Sequence, residues 1–173
     1  MDKNHTLFKN QMEIGQSIFA QKKIYLDTNY WLRITDCKTQ KDILLLECLS
    51  ELVESKKIIL PISEITFWEV LKQTDITSLK RSSIIIDKLS KGISIISERD
   101  RQKLEFIQFV RSNVGREEYN LHELVWTKLS LIIIYPIFLK NEPEMLEEDF
   151  INFLRNISFE NILAKLEEIS NFK

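Results

Sequence analysis

The stretch "KKIYLDTNYWLRI", residues 22–34, decides how this chain is read. A short apolar run, Ile24, Tyr25 and Leu26, ends in an acid, Asp27, and a segment that reads as the start of a helix follows at once. Burying a lone carboxylate is costly, so Asp27 needs a partner, a helix to cap or a cation to hold. Asp is a favoured N-cap residue, so capping a helix that begins at Thr28 is a sufficient structural explanation when the residue is taken alone.

Working outward, short apolar runs alternate with helical patterns. Residues 5–20 read as a leading helix and "KIYL" as a strand. In "KDILLLECLSELVESKK" (41–57), apolar residues recur at three- and four-residue spacing, which predicts a helix. "IIL" (58–60) is a second strand, Ser63 is a candidate N-cap, and "EITFWEVLK" is helical. A helix over about 77–91 ends at Gly92, "ISII" (93–96) is a third strand, and Ser97 caps "ERDRQKLEFIQFVRS". Residues 120–134 read as one further helix, with Leu121, Leu124, Val125, Leu129 and Ile132 on one face. The tail from Asn141 reads as an acidic, then amphipathic, helical extension.

The order strand, helices, strand, helices, strand, helices predicts an α/β domain, a parallel sheet covered by helices. Residues 22–135 form the expected core, with a leading helix over 1–21 and a helical extension over 141–173. Ligands of such sheets sit beyond the carboxyl ends of the strands, where both Asp27 and Ser63 fall.

Composition narrows the function classes. With 173 residues, 44% hydrophobic and 29% charged, the chain suits one soluble globular domain. A net charge of −2 excludes a uniformly basic nucleic-acid binder. Residues 72–116 nevertheless hold ten Lys and Arg against five acids, whereas 117–173 hold five against eleven. The basic strip, which includes Lys80, Arg81, Arg99 and Arg101, reads either as solvated helix faces or as a phosphate-binding surface. Cys37 and Cys48 have no CxxC spacing, which points to reduced thiols in the cytoplasm, and two histidines make a structural zinc site an unsuitable reading. No signal-peptide core is evident, and "LSLIIIYPIFL" (129–139), broken by Pro136, is too short for a membrane helix. No Gly-rich phosphate loop follows any strand, which disfavours nucleotide binding of the Rossmann or P-loop kind.

Glu69 is the second acid of interest. On a helical wheel from Ile65, apolar residues Phe67, Trp68, Val70 and Leu71 occupy most of the circumference, and Glu69 falls inside or at the border of that ring. A surface position is one reading; a buried carboxylate that needs a cation is the other. Asp27 and Glu69 can meet at one sheet edge, and paired carboxylates repel unless a cation lies between them. Mg²⁺ or Mn²⁺, hard ions that take oxygen ligands, suit such a pair and would activate water for phosphodiester attack.

"IYLDTNYWLRI" followed by "IILPISEITFWEVLK" resembles the first half of a PIN domain, the metal-dependent ribonuclease fold of many prokaryotic toxins and RNA-processing enzymes. The matching positions are Asp27, Thr28, Asn29, Ser63 and Glu69, over residues 23 to about 72. The resemblance implies a PIN-like sheet, a divalent metal held by Asp27 and Glu69, supporting roles for Thr28, Asn29 and Ser63, an RNA substrate, and a protein partner such as an antitoxin or a larger complex. Beyond residue 72, "LHELVW" offers Glu123 as the third acid, although Asn120 and Glu123 equally fit a capping-box spacing. Asp100 is a second candidate for that acid, but it sits in the cap-like run Ser97–Asp100; His122, beside Glu123, is placed to act on substrate or metal, although a lone histidine at a helix start more often serves as a surface or capping residue. The family's last acid, on a Thr-x-Asp strand, is absent; "NEPEMLEEDF" stands in its place. That departure leaves two expectations: a ribonuclease, or a PIN-like module without activity that serves as an interaction or regulatory domain. Trp31, Trp68 and Trp126 offer aromatic faces on which bases could stack, but all three sit in helical apolar patterns, which favours core packing for each.

Overall fold

The structure is a computed structural model that describes residues 3–117, 119–134 and 147–171. Its described elements are α1 (Lys3–Ser17), β1 (Lys22–Lys23), α2 (Thr28–Asp36), α3 (Gln40–Glu54), β2 (Ile58–Ile59), α4 (Glu64–Val70), α5 (Ile76–Ser90), β3 (Ile93–Ile95), α6 (Glu98–Asn113), α7 (Leu121–Leu124), β4 (Trp126–Lys128), α8 (Leu129–Ile133), α9 (Glu147–Arg155) and α10 (Phe159–Asn171). The chain is mixed α/β and mostly helical.

β1 and β2 run parallel, with Lys22 opposite Ile58 and Lys23 opposite Ile59. The ladder continues where the Ile24 amide donates to the Ile59 carbonyl at 3.0 Å. Past β2, a parallel bridge joins Ile62 to Ser94 of β3, and the buried Ser94 hydroxyl donates to the Ile62 carbonyl at 2.9 Å. Three segments that run in one direction are thus each followed by an N-cap position: Asp27 before α2, Ser63 before α4 and Ser97 before α6. Ser63 accepts from the Thr66 amide at 3.1 Å and Ser97 from the Asp100 amide at 3.2 Å, the capping that the sequence predicts for both.

Two expectations are corrected. The strand pairing is not wholly parallel, because β3 pairs antiparallel with β4, Ile93 opposite Lys128 and Ile95 opposite Trp126. Accordingly, residues 120–134 are not one helix but α7, β4 and α8 in succession. The apolar positions in that segment serve either period, but Trp126 and Thr127 have high strand propensity and β3 offers an unpaired edge. The helix after β3 starts as expected, and α5 ends with Lys91 in a left-handed C-cap (φ 53°) followed by Gly92 (φ 67°). The apolar run from residue 135 onward and the expected helix start at Asn141 and Pro143 lie outside the described residues.

The main core joins Trp31 and Ile34 of α2, Phe67 and Val70 of α4, Ile86 and Leu89 of α5, and Phe159 and Ile162 of α10, all buried. The Phe67 and Phe159 rings lie 4.8 Å apart. α10 is docked by Asp87 of α5, whose carboxylate accepts from the amides of Phe159 (2.8 Å) and Glu160 (3.0 Å). Burial is the leading cause that raises the Asp87 carboxyl above its ordinary range. Cys37 and Cys48 are both free. Among the described residues no helix is long and apolar enough to cross a membrane.

Phe67→Ala removes a fully buried ring from the centre of this core and should cost about 3–5 kcal/mol of stability, read by denaturant unfolding. A second expectation concerns acid. Thr39 and Asp42 form a capping box at the start of α3, and Arg33 of α2 lies 2.7 Å from the Asp42 carboxylate. The Thr39 hydroxyl, then Arg33, hold the Asp42 carboxyl below its ordinary range. A depressed native pKa contributes stability above the unfolded value of about 3.9, and that stability is lost as pH falls through the native pKa. Melting temperature should fall on acidification below about pH 4, and less steeply in Asp42→Asn, as followed by circular dichroism.

Candidate active site

Asp27 occupies the N-cap position of α2 in an extended conformation (φ −65°, ψ 154°), yet its side chain makes no capping hydrogen bond. The carboxylate accepts instead from the Asn29 side-chain amide at 3.3 Å. Asp27 is exposed, so the cost of burying a lone charge does not arise. Of the three demands that the sequence poses, the cap is not what the side chain serves.

Glu69 is exposed as well, which corrects the reading of α4 as buried around most of its circumference. The helix has seven residues and buries Thr66, Phe67 and Val70. Ile65, Trp68 and Glu69 form its solvent face, with Ile65 68% and Trp68 45% exposed. The reason is geometric: α4 packs on one side only, against α2 and the core, so an apolar ring in sequence becomes a half-buried helix in space.

The two acids are nonetheless linked. The buried Thr28, which directly follows Asp27, donates its hydroxyl to a Glu69 carboxylate oxygen. This contact crosses from the first turn of α2 to the last turn of α4, 41 residues apart in sequence. Below it, the Tyr25 hydroxyl meets Ser63 Oγ (3.1 Å) and Thr66 Oγ1 (3.4 Å), and Ser63 and Thr66 lie 3.0 Å apart. Ser63 therefore acts as cap and as anchor between β1's continuation and α4. Tyr25 and Thr66 are site-supporting residues that the sequence reading passes over. Thr66 lies three residues after Ser63, the spacing of a capped first turn, whereas nothing local reveals Tyr25.

Glu123 belongs to a different neighbourhood. α7 abuts α1 so closely that a Cβ on Gly15 would lie 2.2 Å from the Glu123 carbonyl oxygen. The Glu123 carboxylate accepts from Asn120 Nδ2 (2.7 Å) and Gln16 Nε2 (3.3 Å). Asn120 holds the N-cap position of α7 without a capping hydrogen bond, so the capping-box reading is not the bonding observed. His122 is exposed, and its carbonyl accepts from Trp126 Nε1 at 2.8 Å. Among the described residues no three His, Cys, Asp or Glu side chains gather as a metal-ligating group.

Lys80, Arg81 and Arg99 are exposed. Arg101 is held by Glu98 and Glu105, which raise its guanidinium above the ordinary value, and Lys103 lies 2.9 Å from Asp100. Asp100 also accepts from the Ser97 hydroxyl at 2.8 Å, consistent with a capping role. A cleft of about 670 Å³ opens beside the starts of α4 and α6, lined among others by Phe8, Glu64, Ser97, Arg99, Lys103 and Ile107.

Two exposed carboxylates surrounded by neutral hydroxyl and amide groups present hard oxygen atoms. Mg²⁺ keeps several waters and is commonly held by one or two carboxylates together with substrate phosphates. Asp27 and Glu69 would supply such carboxylates. Comparison of the chain with protein-family models, curated proteins and solved structures gave no match.

Thr28→Val keeps the shape of the side chain and removes its donor. Mn²⁺ affinity measured by calorimetry should fall about tenfold or more, the usual effect of losing a group that orients a ligand.

Proposed function

We propose that this chain is a divalent-cation-dependent ribonuclease with a PIN-like arrangement of its N-terminal half. The observation that carries the reading is the Thr28–Glu69 contact, which ties a carboxylate from α4 to the residue after Asp27. Asp27 and Glu69 would hold Mg²⁺ or Mn²⁺. The Asn29 amide orients the Asp27 carboxylate, the Thr28 hydroxyl orients Glu69, and Ser63 with Tyr25 fixes the start of α4. A bound divalent ion supplies Lewis acidity at a phosphodiester oxygen and a water of lowered pKa. The exposed Lys80, Arg81 and Arg99 supply a salt-sensitive attraction for the phosphate backbone. Reduced cysteines agree with a cytoplasmic setting, and a protein partner such as an antitoxin would regulate the activity.

A second reading is favoured by two specific observations: Glu123 is engaged with α1, and Arg101 and Lys103 are engaged with neighbouring acids. These support a PIN-like module that docks a partner and cuts nothing. Labelled RNA incubated with the chain and Mn²⁺ separates the two. The ribonuclease reading expects cleavage that chelator stops and that Asp27→Asn and Glu69→Gln each reduce to background. Intact RNA with the wild-type chain supports the module, and cleavage unchanged in both variants removes Asp27 and Glu69 as the catalytic site.

A further inference from the structure

The sequence predicts core packing for all three tryptophans, and two of them follow it. Trp31 is fully buried, and Trp126 is half-buried with its Nε1 bonded to the His122 carbonyl. Trp68 departs from it. Its indole is 45% exposed on the solvent face of α4, immediately before Glu69 in the chain. The Phe67 ring lies 5.1 Å away at 73°, a near-perpendicular contact that restrains the indole from one side. Exposed Lys72 follows on the same face, its amide bonded to the Glu69 carbonyl at 3.1 Å. Ile65, one turn earlier on α4, is exposed as well.

The attraction of the basic strip for a nucleic acid is offset in part. The chain carries a net charge of −2, the site itself holds two carboxylates, and Arg101 and Lys103 are engaged with neighbouring acids. A contribution that does not depend on charge would add to the phosphate contacts. Stacking of a base on an exposed aromatic face is such a contribution and tolerates any base. A duplex keeps its bases inside the helical stack, so only an unpaired nucleotide reaches the indole.

We propose that Trp68 is the base-stacking residue of the Asp27–Glu69 site and that Lys72 holds the neighbouring phosphate. The inference rests on the ribonuclease reading and deepens it. Trp68 contributes to substrate binding and selection, and the carboxylates keep the chemistry.

The test uses Asp27→Asn, which binds without cutting, in Mn²⁺. Titration with single-stranded oligoadenylate RNA should quench indole emission, because Trp68 is the most exposed of the three tryptophans. Adding Trp68→Ala should abolish the quench and weaken binding about tenfold or more, Trp68→Phe should retain part of the affinity, and a duplex of the same length should give no quench. Circular dichroism of each variant establishes that it is folded. Emission that does not respond, from a chain whose wild type cuts RNA, overturns the role of Trp68 and leaves the nuclease standing. Unchanged RNA affinity in folded Trp68→Ala also overturns it, as does a change confined to the sedimentation of the chain, which assigns the indole to a protein contact. A wild type that neither cuts nor binds RNA removes both readings together.

Discussion

One hydrogen bond organises the candidate site: the Thr28 hydroxyl to the Glu69 carboxylate. It joins the first turn of α2 to the last turn of α4, and everything that sets its geometry comes from strand pairing. The parallel register of β1 with β2 places the chain after Leu26 beside the chain after Ile62. The Tyr25–Ser63–Thr66 hydroxyl cluster then sets the entry of α4 relative to α2. Thr28 is buried while Glu69 is exposed, so the donor is fixed by packing and the carboxylate reaches to it. A link of this kind fixes the direction of one carboxylate and leaves its second oxygen available.

Exposure changes the energetics that the sequence implies. A buried acid pair requires a cation to fold at all, since desolvated like charges are costly. Asp27 and Glu69, both at the surface, remain hydrated and need no ion for the chain to be stable. A cation at such a surface pair would draw the rest of its ligands from water and substrate phosphates rather than from a protein cage. Glu123, packed against Gly15 and Gln16, does not add to this set, and its place reflects the closeness of α1 to α7.

Much of this architecture is legible in local patterns. Ser63 and Ser97 announce the starts of α4 and α6, and the helix over 41–57 follows its apolar spacing to within a few residues. What is not legible depends on partners distant in sequence. β4 exists because β3 offers it an edge, so 126–128 reads as helix until β3 is placed beside it. Asp87 docks α10 from 72 residues away. Tyr25 gains its role only when β2 brings Ser63 alongside. Asp27 was visible as an unusual acid, but its side chain leaves the cap unused, which no propensity reveals. The exposure of Glu69 and Trp68 was hidden because a wheel counts apolar neighbours without knowing on which side a short helix packs.

The most direct test of the linked acid pair is a crystal structure of the chain soaked in Mn²⁺, with the ion located by its anomalous scattering. A peak in contact with carboxylate oxygens of both Asp27 and Glu69, with Thr28 still bonded to Glu69, is the result this arrangement predicts. Carboxylates turned away from one another into solvent, or an ion bound elsewhere with that pair left bare, would contradict it.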